Sequence, residues 1–194
     1  MRTKHRTFFQ LRAFLLVFIL PAIVCRADDR ALDRASLRGI KTVVVKVHTF
    51  ERDWASELAK AGLTESVLQA KIERQLEKSA IAAIPEESTK RTETEGILNV
   101  RVTLMDPEPP QKTFLTSEEE EIKRFDPKKK YVYAIRLNFR QQTYLRRNPE
   151  ATTYAITWQT ESVGFRRLML IREDLENIVN AFIEAYLSEN PGVK

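Results

Sequence analysis

After residue 5 the chain of 194 residues offers one imidazole, His48, and in its whole length one thiol, Cys25. A Ser-His-Asp relay would have to use His48, which ends the run IKTVVVKVHTF, where an ordinary strand position is the simpler reading. Zinc asks for several thiolate or imidazole ligands, and the sequence has too few. Calcium asks for spaced carboxylates around a glycine bend. Glu118 to Glu121 stand in a row without one, as a solvated charge block or a contact for a basic partner. Phosphate-cradling loops need clustered glycines, but Gly39, Gly62, Gly96, Gly164 and Gly192 stand apart, each expected at an element boundary. No cofactor is expected. Composition does allow a pair of carboxylates for glycoside cleavage. Yet no acid pair stands on an otherwise apolar face, and Glu173, Asp174 and Glu176 are expected on the wet flank of a helix.

The basic residues are more suggestive. Lys128, Lys129 and Lys130 lead into a predicted hairpin; Arg136 and Arg140 share one of its faces, Arg146 and Arg147 sit at its tip, and Arg166 and Arg167 follow it. Arg136, Arg140, Arg146 and Arg147 are the candidate patch for an anionic lipid headgroup, lipopolysaccharide or an acidic partner. The alternative is a solubilising sheet face, whose long side chains shield apolar neighbours and discourage edge pairing.

The first thirty residues set the compartment. Arg2, Lys4, Arg6 and Arg12 precede an uncharged stretch, Ala13 to Val24. As a helix it would span roughly 18 Å, short of the ~30 Å hydrocarbon core. A basic start, a short apolar run and then small residues describe a secretory signal peptide over 1–27, cut between Ala27 and Asp28. Lipidation of Cys25 is the lesser alternative, because Val24 and Ala22 depart from the lipoprotein box; an uncleaved anchor is another. Cleavage would remove Arg2, Lys4, Arg6, Arg12 and Arg26 and no acid, so 32 basic residues fall to 27 against 27 acids. The basic pI thus belongs to the leader, and a general nucleic-acid binder loses its electrostatic warrant. The expected location is periplasmic or secreted, with no further membrane-spanning run.

The elements that must position these residues follow from periodicity. Residues 28–39 read as a lead-in with a helical turn, and 40–190 as one domain. The β-branched run at 40–50 reads as a strand. A helical turn ends near Gly62. The next helix has Thr64 as N-cap, Leu63 and Leu68 as a staple, and Leu68, Ile72 and Leu76 with Val67 as its stripe. IAAIP is a short strand, parallel to the first by a right-handed crossover. ILNVRVTLM alternates, with Asn99, Arg101 and Thr103 on one face. The Pro-rich and charged connection 106–130 reads as a disordered loop. Residues 131–146 and 151–160 form a hairpin that turns at 147–150 and stops at Gly164. Its buried parity is to include Tyr131, Tyr133, Ile135, Leu137, Phe139, Tyr154, Ile156 and Trp158. A long C-terminal helix carries Ile171, Leu175, Ile178, Val179, Phe182, Ile183 and Tyr186. The fold class is α+β, in the order β-α-β-β-β-β-α, a mixed and mostly antiparallel sheet with two helices on one face.

The succession LRGIKTVVVKV, GLTESVLQAKIERQL, AITWQTESVGF and VNAFIEAYLSENP resembles a family of exported bacterial proteins of unassigned function, over residues 37–191. Its motifs are packing and turn signals, so the resemblance implies a fold and no catalytic residues. The strand-helix-strand opening is similar in topology to the amino-terminal envelope module of TolB; fold alone does not confer function. The expected function is a non-enzymatic periplasmic or envelope-associated binding protein. The alternatives are an exported carboxylate-dependent hydrolase and a peripheral binder of anionic lipid through the basic hairpin face.

Overall fold

The computed structural model describes residues 31–49, 55–84, 93–105, 107 and 128–192. The leader with Cys25, Ala27 and Asp28, the run Glu118 to Glu121 and nearly all of the 106–130 connection lie outside the described residues.

Dense β-branching makes β1, Thr42–Thr49, the first strand. A short helix, α1 (Ala31–Ala35), precedes it, and another, α2 (Ala55–Lys60), follows it. Leu68, Ile72 and Leu76 recur at four-residue spacing on α3, Glu65–Lys78, and all three are buried. Val67 is 47% exposed and leaves that stripe, because one position before Leu68 is a rotation of ~100° about the helix axis.

Helices α2 and α3 close with the same hydrogen-bond pair. At α2 the Leu63 N–H donates to the Leu58 carbonyl and Gly62 N–H to Ala59, with Gly62 at φ 67°. At α3 the Ile81 N–H donates to Leu76 and Ala80 N–H to Glu77, but here the left-handed position belongs to Ala80, φ 59°. In each, the two hydrophobic partners, Leu58 with Leu63 and Leu76 with Ile81, are buried, which secures the chain reversal. Ala80 bears a steric cost of about 1 kcal/mol that glycine avoids.

Strand β2 (Ala82–Ile84) then pairs parallel to β1, as a strand-helix-strand crossover dictates. Strand β3 (Glu95–Met105) pairs parallel on the other side of β1. Strands β4 (Lys130–Leu145) and β5 (Asn148–Arg167) add an antiparallel hairpin. The sheet order is β2-β1-β3-β4-β5, a mixed α+β sheet. Helix α4, Leu168–Glu189, completes the chain order expected from periodicity.

One sheet face carries the core. Val43, Val45 and Val47, Leu98, Val100 and Val102, and the alternate residues Tyr131 to Phe139 pack with α3 and α4. Phe182 of α4 stands at its centre, 5.3 Å from the Phe139 ring and 5.2 Å from Trp158, edge-on to the latter. The Tyr186 hydroxyl donates to the Ile40 carbonyl at 2.5 Å, and Asn190 binds both the Gly39 N–H and the Leu37 carbonyl. The lead-in is thereby tied to the end of α4.

The hairpin departs from the simple alternation in three places. Its reversal is Arg146-Arg147, and Asn148 already pairs with Leu145; Pro149 is tolerated because β5 is the sheet edge. Gly164 does not stop the strand, which runs on to Arg167. It lies opposite Tyr133, whose hydroxyl would sit 2.5 Å from a Cβ there, so the missing side chain makes room for the phenol. The third departure is a bulge: Phe139 pairs with Trp158, but Arg140 pairs with Ile156, and Thr157 is left over. The extra residue reverses the parity, so Trp158 is buried while Ile156 is 51% exposed and Tyr154 joins the opposite face.

Asp174 is also not on a wet flank. It accepts from the Tyr133 hydroxyl at 2.5 Å and lies 3.4 Å from the Arg166 guanidinium, fastening the first half of α4 to the hairpin. Burial foremost, then the hydrogen bond to Asp174 and its negative charge, push the Tyr133 phenol from 10.0 up to about 12. The folded state therefore keeps a proton that the unfolded chain releases near pH 10. The contribution is complete below that pH and is lost as pH rises toward 12. In urea titrations between those limits, wild-type stability is expected to fall by roughly 1 to 2 kcal/mol more than that of Tyr133→Phe. Equal falls in the two proteins would show that Tyr133 is not the source.

Candidate functional site

The face of the sheet opposite the helices is built by the second parity of each strand. Lys46 and His48 of β1 stand beside Asn99 and Arg101 of β3; these stand opposite Asn138 and Arg136 of β4; Gln159 and Glu161 of β5 come next. One step toward the hairpin tip, Ile97, Arg140 and Ile156 form a third row. Ile97 is buried although it faces away from the helices, with Arg140 directly across from it in register.

His48, Asn99, Arg101, Arg136, Asn138, Arg140, Tyr154 and Ile156 line an open groove of about 510 Å³ on this face. That lies inside the range of ~300–1,000 Å³ usual for small-molecule sites. Arg101 and Arg136 are directly opposite in register, a like-charge cross-strand pair, which is destabilising in an antiparallel sheet. Arg136 reaches the other way, to Glu161, with two nitrogens at 3.0 and 3.2 Å from one carboxylate oxygen. Both ends of that pair are partly exposed, so it is worth about 0 to 1 kcal/mol and yields readily to a stronger anion. Arg140 makes a long contact of 3.4 Å to the Tyr154 carbonyl. Arg101 has no ion pair among the described residues.

The structure thus joins two of the four arginines singled out from sequence, Arg136 and Arg140, and adds Arg101 and His48 from two other strands. Arg146 and Arg147 are exposed at the hairpin tip. Arg146 is six residues past Arg140, roughly 20 Å along an extended strand, and does not line the groove. Arg166 is spent on Asp174, and Lys130 lies 5.6 Å from the centre of the Phe165 ring. Arg101 and Asn99 were visible in sequence as the polar parity of ILNVRVTLM, but their adjacency to Arg136 and Asn138 needs the β3–β4 register. Tyr154 and Ile156, core positions by the alternation of the sequence, reach the groove through the bulge at Thr157.

Chemically the groove is a set of cationic and amide donors with one apolar wall. No carboxylate lines it, and the nearby Glu161 is engaged by Arg136. Farther along the same face, away from the tip, Met105, Val132 and Phe165 form a row across three strands with Val163 next to it, and all four are exposed. Among the described residues no group of three or more His, Cys, Asp or Glu is placed to hold a metal ion, and no helix is long and apolar enough to cross a membrane.

No family model matches the chain, and no curated protein matches it. Among solved structures, a chain of a point-variant PelC dodecamer from Paraburkholderia phytofirmans aligns with 84% of this chain and 96% of its own, at 12% identity and a TM-score of 0.40. A likeness at that score carries no argument about function.

Proposed function

We propose that this protein is a non-enzymatic, envelope-associated binding module that holds an acidic partner against the open face of its sheet. The observation that carries this reading is the opposition of Arg101 and Arg136 across β3 and β4, with Arg140 and His48 beside them. Cations set this close cost stability in the free protein and regain it when an anion bridges them. A periplasmic or secreted location rests on the basic and apolar leader 1–27. The alternative of a carboxylate-dependent hydrolase draws no support from this groove, whose lining carries no acid.

The test is a fluorescence titration of the purified protein with labelled polyglutamate at low and physiological salt. Salt-sensitive binding is expected, weakened by more than about 100-fold in Arg101→Ala/Arg140→Ala, since the two substitutions each remove a charged hydrogen bond worth about 1.5–3 kcal/mol. Arg146→Ala/Arg147→Ala is expected to stay within about twofold, because the tip contributes only distant, screened charge. No binding, or equal losses in both variants, would remove the groove as the site.

The exposed row Met105, Val132 and Phe165 favours one second reading, docking on an anionic lipid surface with apolar side chains entering the headgroup region. Phosphatidylglycerol vesicles captured by wild type and released by Phe165→Ser, with no polyglutamate binding, would replace the first reading with this one.

A further inference from the structure

The floor of the groove holds two amides, each with one atom unprovided for. Asn99 and Asn138 stand directly opposite across β3 and β4. The Nδ2 of Asn99 and the Oδ1 of Asn138 have no accessible surface to speak of and no hydrogen-bond partner among the described residues. Covered polar atoms are almost always paired, and each one left over costs free energy. One of these atoms is a donor and the other an acceptor, and turning both amides over still leaves one of each. A group that both accepts from Nδ2 and donates to Oδ1 satisfies the pair: a water in the free protein, and a ligand hydroxyl that takes its place in a complex.

The surroundings narrow the class further. Arg101, Arg136 and Arg140 present planar guanidinium forks matched to carboxylate or phosphate. Tyr154 and Ile156 give one apolar wall, and aromatic faces suit the C–H side of a sugar ring. Resting on the acidic-partner reading above, we propose that the groove takes a hydroxylated acid, an acid-bearing sugar unit of an anionic glycan. Its carboxylate or phosphate sits between Arg101 and Arg136, which gives up Glu161 for it, and a ring hydroxyl bridges Asn99 and Asn138 in the next row. The two amide atoms are covered in the free protein, so entry of the hydroxyl requires a neighbouring side chain to move. Arg136 is the side chain free to respond, since among the described residues its polar contacts are all with the partly exposed Glu161. The groove of about 510 Å³ accommodates one or two sugar rings and leaves the chain ends free to continue along the sheet.

Isothermal titration with trigalacturonate, triglutamate and maltotriose separates the terms, the first two being matched in net charge and the third carrying only hydroxyls. Trigalacturonate is expected to bind at least tenfold more tightly than triglutamate, and maltotriose not measurably. Asn99→Leu/Asn138→Leu is expected to remove that tenfold advantage, to leave triglutamate within twofold, and to raise Tm, because the unprovided atoms are gone. The alanine pair serves if the leucine pair does not fold. Competition by galacturonate against glucose 6-phosphate assigns the acid as carboxylate or phosphate by which displaces better; displacement by neither overturns the proposal. Equal affinity for trigalacturonate and triglutamate, or an equal loss of both in the asparagine variants, also overturns it while the acidic-partner reading stands. Failure of both trianions to bind overturns the two together.

Discussion

Gly96→Ala is expected to destabilise the protein by more than about 3 kcal/mol and to lower Tm by roughly 10 °C. Gly96 is the second residue of β3 and already pairs with both β1 and β4. A Cβ built there would fall 1.9 Å from Cζ of Phe139 and within 2.7 Å of two further ring atoms. The Phe139 ring cannot swing aside, because it is wholly buried and packed on Phe182 at 5.3 Å. The single methyl must therefore displace either the central aromatic cluster or the strand itself, where inserting even one carbon into a close-packed core is felt. Gly192→Ala, where nothing lies within 4 Å of the added atom, is the matched control and should change Tm by no more than about a degree. Gly96→Ala/Phe139→Leu should recover part of the loss, since the smaller side chain vacates the contested volume. Thermal unfolding of the four proteins decides it; equal behaviour of the two glycine variants would refute the packing account.

Trp158→Ala carries the second large effect, about 3–5 kcal/mol, and Ile156→Ala, two residues away on the same strand, about 0.5 kcal/mol or less. The contrast follows from the bulge. Trp158 is 2% exposed, lies across from Phe139 and meets Phe182 edge-on, so truncation leaves a cavity among rigid rings. Ile156 is 51% exposed on the opposite face and loses only partial cover against Arg140. Denaturant unfolding of the two variants measures both costs. If they proved equal, the extra residue at Thr157 would have to be abandoned, and with it the presence of Ile156 and Tyr154 in the groove.

These two cases show which information was local and which was not. Elements were legible because hydrophobic period is a property of neighbours in sequence: Leu68, Ile72 and Leu76 at four-residue spacing, Tyr131 to Phe139 at two, and the broad stripe of α4 all packed as their spacing requires. The crossover from β1 through α3 to a parallel β2 was legible for the same reason, since chain chirality leaves little choice. Half of the candidate groove was legible too, because Arg136, Asn138 and Arg140 share one parity of a single strand.

Its other half was decided by partners far away in the chain. Arg101 meets Arg136 only once the β3–β4 register is set, and that register is a compromise over the whole buried face, not a feature of either strand. Asp174, polar by position, was drawn under cover by the Tyr133 hydroxyl, which in turn reaches it through the space left by Gly164. The bulge at Thr157 has no signature in ATTYAITWQT, whose alternation is unbroken. Sequence by itself determined the periods, and with them the elements and the face each residue takes within an uninterrupted element. Tertiary structure decided the phase between elements, because phase is fixed by which large side chains can fill one shared core, and a single inserted residue there turns the rest of a strand over.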